Sequence, residues 1–125
     1  MVVKIEANVK SVHVIIPVFN EEPLLEELLS RLGKATSGLS YDFRFLLVDD
    51  GSRDRTPELL RAWQEREPRL EVILLSRNWG HQNAFNAGLD RADGDGVILM
   101  DGDLEDPPEM IPELLRRWEA GADVV

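Results

Sequence analysis

Residues 12–50 read VHVIIPVFN EEPLLEELLS RLGKATSGLS YDFRFLLVDD, and their pattern decides the fold. Val12–Phe19 and Phe43–Val48 are nearly continuous apolar runs. Short runs of Val, Ile and Leu without polar alternation mark strands covered on both faces, because neither side meets water. Between them, Glu22–Ala35 places Leu24, Leu25, Leu28, Leu29 and Leu32 on one helical stripe. Its acids come early and Arg31 and Lys34 come late, as the helix dipole prefers. Strand, helix, strand is one parallel crossover unit.

The alternation continues outward. Leu70–Leu75 and Val97–Met100 read as further strands, and Ala122–Val125 begins another. Thr56–Glu67 opens with Thr56 as a cap and Pro57 at the first helical position. Asn83–Ala92 is a third helix. Pro108–Ala120 is a fourth, with Pro112 restricting its first turn and Gly121 beyond its end. The expected fold class is α/β, a doubly wound and mainly parallel sheet with right-handed crossovers. Residues 1–10 are expected to be a lead-in, and residues 11–125 a single domain. The incipient strand at Ala122–Val125 predicts an exposed sheet edge through which copies of the chain would pair as a homo-oligomer.

Composition narrows the function. The 125 residues carry 14 Lys+Arg against 24 Asp+Glu, a net charge of −10. A nucleic-acid binder needs a basic face to displace counterions, so nucleic acid is not expected as a partner. Cys is absent, which excludes disulfides and thiolate metal sites. No apolar run reaches a membrane span, and no signal peptide opens the chain.

In open α/β sheets ligands bind beyond the carboxyl ends of the strands. The first strand ends in Pro17-Val18-Phe19-Asn20-Glu21-Glu22, where Asn20 is a candidate helix cap. The second ends in Asp49-Asp50-Gly51-Ser52-Arg53-Asp54, an adjacent acidic pair whose mutual repulsion favours a functional use over a plain turn. The third ends in Ser76-Arg77-Asn78-Trp79-Gly80-His81. Arg77 suits a phosphate, or an ion pair with nearby acids, and His81 alone reads as a loop or helix-start residue.

The fourth strand end, Asp101-Gly102-Asp103-Leu104-Glu105-Asp106-Pro107-Pro108-Glu109, is the most informative. In extended backbone Asp101, Asp103 and Glu105 project to one side, and hard carboxylate oxygens suit Mg²⁺ or Mn²⁺. Gly102 lets a ligand approach the backbone. An EF-hand is excluded, because Asp106 and Pro112 stand where it needs Gly and Glu. A diphosphate entering so acidic a cleft is repelled by about 4 kcal/mol per unit pair at about 4 Å and an effective dielectric of 20. A bridging divalent ion reverses that sign.

Taken together and in order, these strand ends resemble family 2 glycosyltransferases of the GT-A fold, a Rossmann-like arrangement. The stretches that carry the likeness are Ile15–Glu21, Val48–Asp54, Ser76–Gly80 and Met100–Glu109. The last, with Arg77-Asn78 and Gly80, is most similar to the polyprenyl-phosphate branch, that of dolichol-phosphate mannosyltransferases and bacterial undecaprenyl-phosphate glycosyltransferases. The resemblance implies a metal-dependent, inverting transfer of a sugar from a nucleoside diphosphate (UDP or GDP) to a polyprenyl phosphate. It implies that Pro17, Phe19 and Glu21 border the base and ribose, and that Asp50, with Asp49, accepts from the base. It implies that Arg77 and Asn78 lie near the ribose and diphosphate. Asp101 and Gly102 fall on the ribose or sugar side, with Asp103, Glu105 and Asp101 as the metal set. Glu105 stands where the branch more often has Gln, and Gly102 where it more often has Ala. The family's acceptor-side residues would follow residue 125, so the chain is expected to be the donor half, with little or no turnover alone. The implied location is the cytoplasm, or the cytoplasmic face of a membrane in a longer protein.

Two other functions fit parts of the pattern. A non-catalytic nucleotide-binding or assembly module would use the same residues. A receiver-type signalling domain would need a Lys at its last strand end, whereas the lysines are Lys4, Lys10 and Lys34.

Overall fold

The computed structural model describes residues 11–121 and the backbone of residues 2–5. The strands are β1 (Val2–Ile5), β2 (Ser11–Val18), β3 (Asp42–Asp49), β4 (Leu70–Leu74) and β5 (Gly96–Leu99). The helices are α1 (Glu22–Thr36), α2 (Thr56–Arg66), α3 (His81–Arg91) and α4 (Ile111–Glu119), the last preceded by a 3₁₀ turn at Pro108–Met110. The sheet order is β1-β5-β2-β3-β4 among the described residues. β2 lies parallel to β3 and β5, and β3 parallel to β4. This is the expected doubly wound, mainly parallel sheet.

Val2–Ile5 depart from the expectation of a lead-in. They pair antiparallel with β5, Val2 opposite Leu99 and Ile5 opposite Gly96. A strand of four residues with Lys4 inside it has too little periodicity to stand out from a tail. The strand expected at Ala122–Val125, and the dimerising edge drawn from it, lie outside the described residues.

Handedness explains where the helices sit. From β2 the chain steps to β3 and β4, and right-handed crossovers put α1 and α2 on one face. It then returns past β2 to β5, so the same handedness puts α3 on the other face. The first face holds the main core: Val12, Val14, Ile16 and Val18 of β2 against Leu25, Leu28 and Leu32 of α1, Leu60 of α2, and Ile111 and Leu115 of α4. On the second face Ile15, Leu46 and Val48 pack under Ala84 of α3. Gly88 permits that approach, since a Cβ there would lie 2.4 Å from the Ile15 Cγ2. Both faces of β2 and β3 are thus buried, which is why their sequences are continuous rather than alternating.

The proline expectations hold: Pro57 occupies the first turn of α2, and Pro112 falls in the first turn of α4 without breaking it. Pro23 likewise lies in the first turn of α1. The capping expectations do not. Asn20 and Thr56 make no cap for their own helices and instead bond across two loops. Asn20 Oδ1 accepts from the Arg53 N–H at 2.8 Å, and the Asn20 N–H donates to Ser52 Oγ at 2.8 Å. Thr56 Oγ1 accepts from the Glu21 N–H at 3.1 Å. Asp54 takes the Thr56 N–H on Oδ1 and the Glu22 N–H on Oδ2. Burial acts to raise the Asp54 pKa, but the hydrogen bonds from Thr56 and Glu22 win and hold it below the ordinary value. A depressed carboxyl contributes stability above its unfolded pKa and loses it as pH falls through the folded one.

Thr56 is fully buried, so its hydroxyl has no water to replace the Glu21 amide. Thr56→Val is expected to cost about 1–2 kcal/mol in a denaturant melt, because it keeps the shape and removes the acceptor.

Candidate active site

At the carboxyl ends of β2 and β5, where the strand order reverses, lies a cleft of about 350 Å³. Its walls come from four strand-end loops. Pro17, Phe19 and Glu21 follow β2, and Asp50 follows β3. Asn78, Gly80 and His81 follow β4, and Asp101, Gly102 and Asp103 follow β5. Eight of the residues singled out from the sequence therefore meet in one cleft: Pro17, Phe19, Glu21, Asp50, Asn78, Asp101, Gly102 and Asp103.

Asp50 assembles it. Its carboxylate, 4% exposed, accepts the Trp79 N–H at 2.8 Å and the Gly80 N–H at 3.1 Å. That bond pair ties the loop after β3 to the loop after β4. Each carboxylate oxygen still has a second lone pair. Gly51, at φ 75°, packs directly on the same loop: a Cβ there would lie 2.3 Å from the Arg77 carbonyl carbon. Gly102 plays a similar part at the floor, where a Cβ would meet Val18 Cγ1 at 2.7 Å and the Pro17 oxygen at 2.9 Å.

Asp49 is not in the cleft. It is 2% exposed, takes the Ser52 N–H on Oδ2, and leaves Oδ1 buried without a hydrogen-bond partner among the described residues. Burial pushes its pKa up, the Ser52 bonds oppose that, and the charges of Asp54 and Asp50 add to the rise. The sign for stability follows. A carboxyl whose folded pKa is raised penalises the native state as pH climbs from the usual 3.8 through the folded value. Asp49→Asn is expected to melt above the parent at pH 8, with the gap closing as pH falls below about 4. A gap that stays constant across that range would remove the account.

Arg77 does not meet an acid among the described residues. Its guanidinium stacks 3.8 Å from the centre of the Trp79 ring. Together with Arg53, Ser52 and Ser76 it lines a neighbouring recess of about 470 Å³ that shares Phe19 and Asn78 with the cleft.

The alternation argument for three acids on one side is corrected by the backbone. Residues 101–107 turn rather than extend, and Leu104 sits at φ 67°. A period-two projection needs extended chain, and a left-handed residue breaks it. Asp103 Oδ1 accepts the Glu105 N–H at 3.0 Å, while the exposed Glu105 does not line the cleft. Asp101 Oδ1 lies 2.8 Å from His81 Nε2. Asn20, at φ 52°, and Leu104 are the non-glycine residues with left-handed backbone among those described, and both stand at the cleft's edge loops.

The sequence reading of His81 as a loop or helix-start residue holds, since it is the first residue of α3, but it also lines the cleft, a role that reading did not give it. Its place directly after Gly80, at the start of a helix following a strand end, was the available clue.

The electrostatics are one-sided. Glu21 titrates above its ordinary value, first through burial, then through the negative charges of Asp103 and Asp54. Among the described residues no three Asp, Glu, His or Cys side chains are grouped to hold a metal ion by themselves. The donor chemistry still fits a hard divalent cation. Mg²⁺ is typically held by one or two carboxylates with ligand phosphates completing the shell, and Asp101 and Asp103 are carboxylates at the cleft.

The comparisons with known proteins agree with this geometry. The family model described as Glycosyl transferase family 2 matches residues 13–125. The undecaprenyl-phosphate 4-deoxy-4-formamido-L-arabinose transferase of Pseudomonas paraeruginosa is 50% identical over 115 residues, covering 91% of this chain and 34% of that protein. The uncharacterised glycosyltransferase YkcC of Bacillus subtilis is 41% identical over 112 residues, 90% of this chain and 35% of that protein. The chain thus spans about a third of the length of the curated relatives it matches. Among solved structures, the mannosyltransferase PcManGT from Pyrobaculum calidifontis, in complex with GDP-Man and Mn²⁺, superposes with a TM-score of 0.73 at 30% identity, over 84% of this chain and 31% of that one. S. aureus TarS 1-349 in complex with UDP gives 0.66 at 28%, over 84% of this chain and 33% of that one. The sheet, its strand-end loops and these matches converge: the chain belongs to glycosyl transferase family 2.

Proposed function

We propose that this chain supplies the nucleoside-diphosphate-sugar and cation site of an inverting glycosyltransferase whose acceptor is a polyprenyl phosphate. One observation carries the reading: a single cleft at the switch point of the sheet joins an aromatic and proline wall, Phe19 and Pro17, to a carboxylate wall, Asp101 and Asp103. The names of the relatives supply the acceptor class, and the complexes of the structural neighbours supply the donor class.

In this reading Pro17, Phe19 and Glu21 border the base and ribose. Asp50, with Asp49 buried behind it, presents spare lone pairs to a base N–H. Asn78 stands beside the ribose, and Arg77 offers its guanidinium edge to a phosphate. Asp101 serves the ribose and sugar side, and Asp103, together with Asp101, would hold a Mg²⁺ or Mn²⁺. Bound there, the cation would neutralise the charge that grows on the leaving diphosphate. The acceptor phosphate, a ready anion, attacks the anomeric carbon. The bond from that carbon to the diphosphate breaks, and its electron pair leaves with the nucleoside diphosphate.

Because no three Asp, Glu, His or Cys side chains among the described residues group around a cation, nucleotide and metal are expected to bind together. Calorimetric titration of UDP and GDP with and without Mn²⁺ tests this. One of the two should bind at least about tenfold tighter with the metal, a coupling of about 1.4 kcal/mol. Equal affinity in its absence would remove the cation from the reading.

A further inference from the structure

The acidic turn that carries Asp101 and Asp103 is shaped from within. The Asp101 N–H donates to Asp106 Oδ2 at 3.1 Å, and the Glu105 N–H donates to Asp103 Oδ1. Bonds inside a turn fix its shape, not its place. Its near end hangs from β5, where the Met100 N–H donates to the Ile15 oxygen at 3.0 Å. Its far end runs into the 3₁₀ turn, between the buried Pro108 and the fully buried Ile111. Between those two stands Glu109, and it reaches α1. Arg31 Nε donates to Glu109 Oε2 at 3.0 Å, and Arg31 Nη2 donates to Oε1.

This pair differs from an ordinary surface ion pair. It is a fork, and a planar guanidinium held by two bonds fixes direction as well as distance. The Arg31 side chain is 32% exposed, so its stem is packed. Glu27, one turn earlier in α1, lies 3.8 Å from Nη1 and steadies the guanidinium from its own helix. The hydrogen bond from Arg31 holds the Glu109 carboxyl below its ordinary range.

α1 in turn acts as a strut. It opens on the Glu21 carbonyl, which accepts the Leu24 and Leu25 amides at 3.0 Å, and Glu21 lines the cleft. Leu25, Leu28, Leu29 and Leu32 lock the helix into the main core. From Glu21 to Arg31 the helix runs about 15 Å, at 1.5 Å per residue. One end of the strut thus belongs to the wall after β2, and its middle grips the element that follows the carboxylate wall.

We propose that Arg31 is a positioning residue: through Glu109 it sets where the Asp101–Asp103 turn stands relative to the wall after β2, and so governs how strongly a divalent cation and a nucleotide bind together. This rests on the donor-site reading above for its ligands, but not for the placing of the turn. Neither Arg31 nor Glu109 is among the residues lining the cleft, so both act through geometry.

The experiment uses the 125-residue chain, Arg31→Met, Glu109→Ala, the double variant and Arg31→Lys, with two readouts. The first is amide hydrogen exchange without nucleotide or metal. Exchange at residues 101–106 is expected to rise at least about fivefold in each single variant, while β2 and β3 keep the parent's rates. The second is calorimetry of UDP and GDP with and without Mn²⁺. The metal-dependent tightening should shrink about fivefold in each single variant, with metal-free affinity within about twofold of the parent's. The double variant should lose no more than either single one, because both remove the same contact. Arg31→Lys, which keeps the charge without the fork, should retain part of the tightening. A merely structural role would weaken nucleotide binding equally with and without metal, or raise exchange across the whole sheet, and either result would overturn the proposal. So would unchanged exchange in the turn, or losses that simply add in the double variant. A parent that gains nothing from Mn²⁺ would overturn the donor-site reading and the cation half of this proposal with it, while the exchange result still decides the anchoring.

Discussion

Asp103→Ala is expected to weaken Mn²⁺-dependent nucleotide binding by about 100-fold, equivalent to about 2.7 kcal/mol. The side chain is exposed, lines the cleft and, among the described residues, accepts one hydrogen bond, from the Glu105 amide two residues on. Losing that turn contact costs the fold little, on the order of 0.5–1.5 kcal/mol. Removing the charge also helps a neighbour. Asp103 is the largest charge holding the Glu21 carboxyl above its ordinary range, second only to burial. In the variant Glu21 should titrate closer to normal, and the fold should pay less to keep it ionised at neutral pH. Stability and binding are thus expected to part company: a melting temperature near the parent's with binding nearly gone. Calorimetry and a thermal melt on one sample read both. Retained metal-dependent binding would show that the cation sits elsewhere.

Gly51→Ala has the opposite profile, a structural failure of about 2–5 kcal/mol. Two costs add. A residue with a Cβ loses about 1–2 kcal/mol in left-handed backbone, and φ here is 75°. The new methyl would then lie 2.3 Å from the Arg77 carbonyl carbon and 2.5 Å from the Asn78 nitrogen. Those are main-chain atoms of the loop after β4, so no rotamer relieves the clash, and overpacking of this kind costs about 1–3 kcal/mol. The loop after β3 must move off the loop after β4. Asp50 then loses its hold on Trp79 and Gly80, and the cleft opens. Denaturant melts read the size of the effect, and a variant as stable as the parent would refute the packing.

The parts of the fold that were legible from residues alone are those where burial leaves a simple mark. Ser11–Val18 and Asp42–Asp49 are covered on both faces, so their apolar runs are unbroken, and the helical stripe of α1 lies between them. Val2–Ile5 carry no such mark, because they sit at a sheet edge and take their conformation from pairing with β5. At the site, residue type and position beside a strand end located Asp101 and Asp103, but not the path between Asp103 and Glu105. That path depends on one left-handed residue, Leu104, a residue type that rarely adopts it. Asn20 was misread for a related reason. A short amide at a helix start looks the same whether it bonds its own helix or a loop more than thirty residues away, and the partner Arg53 is set by tertiary structure. His81 has no periodic neighbour to announce it, and its meaning arises only when β5 brings Asp101 within reach.

The cross-stitching of Asn20, Ser52, Asp54 and Thr56 also governs how a guest is received. With these bonds in place, the segment after β2 and the segment after β3 have no separate motions to surrender. Under the proposed function, an incoming nucleotide would meet loops already tied together, so the ordering cost of association would fall on the guest and not on the host.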